Sequence, residues 1–151
     1  MKFMCPVLFA TAALLLNVEA IAGTIRYDGV YVHQDSLTEQ AEGGNESEGK
    51  QHCYYLRFYP KGTVISVTSD CGEKAMGSIK KWFEARNAGP THTGLARGML
   101  RVKGKQLKFA LRSKEGLVSY SGKFVGERIE LKSHSHINGF NDKATYAFTP
   151  W

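Results

Sequence analysis

Apolar and polar side chains alternate in short segments along most of this chain, and turn sequences separate those segments. The segment 106–112 is a clear example, because Leu107, Phe109 and Leu111 occupy every second position. A period of two is typical of a strand that buries one face, and Gly or Pro between such segments indicates a tight turn. The pattern predicts eight strands, over 24–33, 53–59, 63–68, 94–102, 106–112, 117–124, 128–132 and 143–151.

The short connections predict the topology. Strands joined by only a few residues pair as antiparallel neighbours, and closing the sheet removes the exposed edges that promote aggregation. We therefore predict an all-β fold, an eight-stranded antiparallel up-and-down barrel, with an open β-sandwich as the alternative. A barrel of this size encloses side chains or one small ligand.

One segment has helical periodicity instead. Within 77–88, Ile79, Trp82 and Phe83 recur at the spacing of one helix face. Ser78 precedes them and is a residue type that caps helix N-termini. We expect one short helix here, covering one end of the barrel.

A long polar segment interrupts the strands at residues 34–50. Up to Gly49 it carries five carboxylates and no base, a composition typical of a flexible loop. Asn45 begins an Asn-Glu-Ser glycosylation sequon, whose use depends on the host organism.

The first 22 residues have the pattern of an export signal. Lys2 precedes an apolar run from residue 3 to 16, and Ala20 and Ala22 are small residues suited to cleavage. The run is too short for a bilayer span, and Asn17 interrupts its continuation. We predict a signal peptide over 1–22, a single domain over 23–151, and a secreted (extracellular or periplasmic) protein with no membrane span.

Cleavage would leave two of the three cysteines. Cys5 is removed with the leader, and Cys53 and Cys71 remain. Two cysteines in an oxidising compartment pair most simply with each other. The disulfide would close a loop of about 19 residues and stabilise the fold by about 3 kcal/mol.

The first predicted strand contains the sequence Gly29-Val30-Tyr31. Together with the export signal and the eight-strand meander, this Gly-x-aromatic element resembles the lipocalin-like (calycin) superfamily, with Tyr31 in place of the usual Trp. The chain differs from lipocalins in being shorter and in ending on a strand. The resemblance implies a protein that binds a small apolar molecule in the barrel, or one that acts as an inhibitor or binding protein through its loops.

Alternation places a set of aromatic residues on the inward face. They are candidates for lining a cavity for a small apolar ligand, with tyrosine hydroxyls as polar anchors. A filled core would need the same residues, so both interpretations remain open. The candidate ligand-binding residues are Phe58, Phe109, Tyr120, Tyr146 and Phe148.

The charge indicates a second kind of partner. Without Lys2 and Glu19, the 20 basic and 14 acidic residues become 19 and 13, so the net charge stays at +6. A cationic face attracts an anionic surface or an acidic protein. Nucleic acid is not expected, since the protein is exported and no aromatic residues interleave with the bases. The bases cluster on one predicted hairpin, at Arg97, Arg101, Lys103, Lys105, Lys108 and Arg112.

Neither a metal site nor a catalytic site is predicted. His134 and His136 lie in the predicted connection 134–142, and Asp142 or His33 could supply a third ligand in the folded state. Exposed histidines are the simpler expectation. The sequence contains none of the usual hydrolase, metalloprotease or phosphate-loop motifs. We expect a non-catalytic protein without a cofactor.

Overall fold

A computed structural model describes residues 23–35 and 51–151. The predicted signal peptide and most of the predicted acidic loop, including Asn45, lie outside the described residues. The described residues form eight strands and one short α-helix, with a 3-10 turn at Ala85–Asn87. The elements are β1 (Gly29–Gln34), β2 (His52–Phe58), β3 (Thr63–Asp70), α1 (Glu73–Lys80), β4 (Leu95–Lys103), β5 (Gln106–Arg112), β6 (Leu117–Val125), β7 (Arg128–Ser135) and β8 (Asn141–Pro150).

The strands close into a barrel. Each strand pairs antiparallel with the next one, and β8 pairs with β1, where Tyr31 lies opposite Phe148. The predicted eight-stranded barrel is therefore confirmed, and the alternative of an open sandwich is wrong. The predicted irregular connection 134–142 is shorter than expected, because β7 continues to Ser135 and β8 begins at Asn141.

Aromatic rings fill much of the barrel interior. The Tyr31 ring centroid lies 5.4 Å from that of Phe58, and Phe58 lies 5.9 Å from Phe109. Phe109 in turn stacks on Tyr120 at 4.8 Å. Aliphatic side chains such as Leu107 are buried among these rings. Packed rings at these distances occupy the space that a large apolar ligand would need.

The segment 23–28 closes one end of the barrel. It was predicted to begin the first strand, but β1 starts only at Gly29. Ile25 packs on the interior core, and the Arg26 amide donates a hydrogen bond of 3.0 Å to the Tyr31 hydroxyl. The Arg26 guanidinium lies 4.0 Å from the Phe148 ring centroid. We call the opposite end, where β1 ends and β2 begins, the open end.

Helix α1 packs on the outer wall of the barrel. The prediction that it covers one end of the barrel is therefore wrong. Its Ile79 and the following Phe83 are fully buried against outward residues such as Val30 and Ile65. These outward positions are apolar because they form a second core under the helix. No α-helix among the described residues is long and apolar enough to cross a membrane.

The helix also begins earlier than predicted. Its N-cap is Gly72, which has no side chain to cap the helix, and Ser78 lies inside the helix. The predicted disulfide is present and joins Cys53 of β2 to Cys71, just before the helix, with a Cα–Cα distance of 5.1 Å. The cross-link holds the start of this segment to the wall against which the helix packs.

The two halves of the outer wall therefore differ. The helical segment covers the outer faces of β1, β2 and β3, and its border is at β4, where Arg97 Nη1 donates to the Ala85 carbonyl at 3.2 Å. Beyond that border, the outward side chains of β5 to β8 are mostly exposed. We call these strands, together with the exposed end of β4 from Met99 to Lys103, the bare half of the wall.

Candidate functional site

Four basic residues lie on one line across the bare half of the wall. The strand register places Arg101 opposite Lys108, Lys108 opposite Ser121, Ser121 opposite Lys132, and Lys132 opposite Lys143. All five positions are exposed. Neighbouring strands lie about 4.8 Å apart, so the line spans about 19 Å over five strands. We call Arg101, Lys108, Lys132 and Lys143 the cation row.

The surface along the cation row is concave. Two shallow depressions of about 600 and 700 Å³ adjoin there, and Lys108 and Lys132 line both of them. The concavity has a local cause in β6, where Ser121 is a short side chain between Lys108 of β5 and Lys132 of β7. The Ser121 hydroxyl makes no hydrogen bond to another described residue and is free to bind a ligand.

The cation row has no anionic partner among the described residues. The one carboxylate in the adjoining outward row, Glu130, pairs with Lys123 at 3.7 Å. The other two ion pairs in the described part of the chain lie elsewhere, at Arg26 and Arg86. Like charges directly opposite each other on a sheet destabilise it. Within residues 23–35 and 51–151, the row is therefore a group of like charges that no carboxylate neutralises.

The predicted basic hairpin contributes only part of this surface. Arg101 and Lys108 belong to the cation row, and Lys103 and Lys105 lie beside it at the β4–β5 turn. Arg97 lies opposite Arg112, farther toward the open end, and it already donates to a carbonyl of the helical segment.

Sequence reasoning missed Lys132 and Lys143. Both are outward residues of separate strands, and the sequence pattern alone indicated only that they were solvent-exposed. The strand register could have been used to predict them. If outward positions are counted from the turn at each end of a strand pair, Lys108, Lys132 and Lys143 fall in one row.

The five predicted ligand-binding residues are not all at one site. Phe58 and Phe109 are buried in the packed core, and Phe148 lies under Arg26 near the closed end. Tyr120 and Tyr146 instead line a pocket of about 260 Å³ at the open end. We call this the open-end pocket; its other lining residues are His33, Tyr54, Val118, Leu131, Ser133, Ser135, Asn138, Phe140, Asp142 and Ala144.

In the open-end pocket, Tyr146 is buried and Tyr120 is half-buried. Burial, with smaller effects from Tyr54 and Asp142, raises the pKa of Tyr120 to about 12. Burial, followed by the effects of Tyr120 and Asp142, raises the pKa of Tyr146 even further. Both side chains are therefore neutral phenols at physiological pH and act as hydrogen-bond groups without charge.

The histidines His134 and His136 are neighbours, with ring centroids 4.8 Å apart. Both make hydrogen bonds with side chains, since His134 Nδ1 lies 2.9 Å from Asn141 Oδ1 and His136 Nε2 lies 2.8 Å from Ser119 Oγ. Asp142 lines the pocket inside the barrel, behind this outer face. No group of three metal-binding side chains occurs in residues 23–35 and 51–151.

Comparisons with known proteins assign no relative to this chain. No protein family, no curated protein and no solved structure matches it. The chemistry of the cation row and of the open-end pocket is therefore the basis for a functional assignment.

Proposed function

We propose that this is a secreted, non-catalytic binding protein whose cation row binds a linear polyanion of the sulfated polysaccharide class. The observation that carries the proposal is the alignment of four basic side chains in one register row without a carboxylate partner among the described residues. Such a row costs the free protein some stability, and an anionic chain lying across the strands would relieve that repulsion.

The shape and chemistry of the surface favour a chain of sulfate groups. The depression at Ser121 lies between Lys108 and Lys132 and can hold the polysaccharide. The serine hydroxyl is a further hydrogen-bond donor. Ion pairs between exposed groups contribute about 0.2–1 kcal/mol each. An anionic chain that meets all four cations of the row adds several such contributions.

A nucleic acid fits the same surface less well. Proteins that bind single-stranded nucleic acid stack bases on aromatic side chains. The outward rows on either side of the cation row contain no Phe, Tyr or Trp; they are Met99, Ala110, Ser119, His134 and Asn141 on one side and Lys103, Gln106, Lys123, Glu130 and Thr145 on the other. The expected export signal also favours an extracellular glycan.

Retention on a heparin column tests the proposal. The processed protein should be retained at low salt and elute as salt screens the charges. The double variant K108E/K132E should pass through, while K61E/K74E, which makes the same change of charge in exposed residues off the row, should elute close to the wild type. Elution of the wild type without added salt would contradict the proposal, as would equal losses in the two variants.

A small ligand remains the second candidate. Packed rings fill the region of Phe58 and Phe109. In the described structure, a small ligand would therefore bind in the open-end pocket. The resemblance to lipocalins stays a prediction, and it would be consistent with a ligand in this position.

A further inference from the structure

We infer that the open-end pocket binds a small organic ammonium ion, with the Asp142 carboxylate as its counter-ion. The pocket lies inside the strands at the end opposite segment 23–28, whereas the cation row lies on the outer face. The inference is therefore independent of polyanion binding, and either one can fail without the other.

The charge of the pocket favours a cation. Of the twelve lining residues, Asp142 is the only carboxylate, none is Lys or Arg, and His33 is the only base. This composition contrasts with the net charge of +6 of the whole chain. Asp142 also lies close enough to Tyr54, Tyr120 and Tyr146 for its charge to help raise the pKa of each phenol. A ligand with a carboxylate of its own would be repelled here.

Aromatic rings line the same pocket as this carboxylate, which lies at its exposed rim. The His33 ring centroid lies 6.0 Å from that of Tyr54 and 5.5 Å from that of Tyr146. Phe140, with 64% of its surface exposed, adds a ring at the rim. Electron-rich ring faces attract an ammonium group, and the attraction grows as the group loses water. Aromatic rings and a carboxylate in one pocket are a combination suited to a cation.

The tyrosine hydroxyls provide hydrogen-bond acceptors. Tyr54, Tyr120 and Tyr146 make no hydrogen bond through their hydroxyls to another described residue, although a shielded tyrosine hydroxyl normally has a partner. A primary ammonium can donate its three N–H groups to Asp142 and to two of these hydroxyls, which a quaternary ammonium cannot do. The volume of about 260 Å³ equals roughly nine water molecules, so the ligand has about ten non-hydrogen atoms.

Three probes of one size and shape test the inference by calorimetry at pH 8. They are 2-phenylethylammonium, neutral 2-phenylethanol and anionic phenylacetate. We expect saturable binding of the ammonium, at least tenfold weaker binding of the alcohol, and no binding of the acid. Equal or tighter binding of the alcohol would show a merely apolar pocket and overturn the inference, as would no binding of the ammonium at millimolar concentration.

Two matched variants locate the effect. D142N keeps the size of the side chain and its capacity to accept the Lys143 amide hydrogen bond, but it removes the charge. It should weaken binding of the ammonium at least tenfold and leave binding of the alcohol unchanged. D70N removes an exposed carboxylate elsewhere and should change neither. Unchanged ammonium binding in D142N, or an equal loss in D70N, would overturn the assignment of Asp142.

Discussion

Lys132 of β7 and Lys143 of β8 lie directly opposite each other on the outer face of the barrel, and neither forms an ion pair with another described residue. A sheet that only had to be stable would be expected to pair one of these lysines with an acid. The repulsion between the two lysines lowers the stability of the free barrel, and the same two charges attract a polyanion in the proposed function.

Replacing Lys143 by Gln should therefore stabilise the free protein while weakening its binding to polyanions. We expect a gain of about 0.2–1 kcal/mol in the free energy of unfolding at low salt, measured by urea denaturation. The gain should shrink in 1 M salt, where charges are screened over about 3 Å. K61Q is the matched control and should change stability little. A loss of stability in K143Q at low salt would show that the lysines do not repel each other.

The close approach of β6 and β7 beneath the cation row depends on a glycine. A Cβ atom at Gly122 would overlap the carbonyl oxygen of Glu130, which belongs to the backbone and cannot easily move away. We expect G122A to lower the free energy of unfolding by about 1–3 kcal/mol, the usual cost of overpacking.

Substitution of Gly77 is a control that should change the free energy of unfolding in the opposite direction. It lies in helix α1, and an added Cβ there would meet no atom within 4 Å. Because alanine favours a helix, G77A should raise the free energy of unfolding by up to about 1 kcal/mol. If G122A were as stable as the wild type, β6 and β7 could move apart at no cost in free energy, and the prediction for Gly122 would be wrong.

The disulfide should contribute a large share of the stability. Cys53 and Cys71 are separated by 18 positions in the sequence, and replacing both by alanine removes the cross-link between them. We expect this change to lower the free energy of unfolding by about 3 kcal/mol. Urea denaturation of the oxidised protein and of the double variant measures this difference. Two alkylatable thiols in the native protein, or equal stability of both forms, would contradict the prediction.

Alkaline pH should destabilise the fold through Tyr120. Its pKa is about 12 in the folded protein, chiefly because of burial, and near 10 in an unfolded chain. Between these values the unfolded state loses its proton first, so the free energy of unfolding falls as pH rises from 10 to 12. Below pH 10 this contribution is constant.

The Y120F variant isolates this contribution. The two-unit gap corresponds to about 2–3 kcal/mol, and Y120F should lose that much less stability than the wild type over the same pH range. Other buried tyrosines, Tyr146 among them, contribute in the same direction and remain in the variant. Parallel curves for both proteins would show that Tyr120 ionises as easily when folded as when unfolded.

The barrel could be predicted from the sequence because its determinants are local. Alternation of side chains and glycine in tight turns specify each hairpin from neighbouring residues, as in the pairing of Phe109 with Tyr120. The position of α1 could not be predicted in this way. Ile79 and Phe83 indicated an apolar helix face, but not that Val30 and Ile65 would form its partner surface on the outer wall.

The candidate sites depend on relationships between distant parts of the chain. Lys108 and Lys143 share a row only because the register of three successive strand pairs aligns them. A slip of one residue in any pair would move one of them to the interior face. Likewise, alternation placed Tyr120 and Phe58 on one inward face, but it did not indicate that Phe58 lies among the packed rings while Tyr120 lines the open-end pocket.

The affinity for a size-defined heparin oligosaccharide, measured by calorimetry over a series of salt concentrations, tests the central claim most directly. We predict saturable binding that weakens steadily with salt. The K108E/K132E variant should bind at least about tenfold more weakly than the wild type, and K61E/K74E should stay within about twofold. Absence of saturable binding by the wild type at low salt, or an equal loss of affinity in both double variants, would contradict the account.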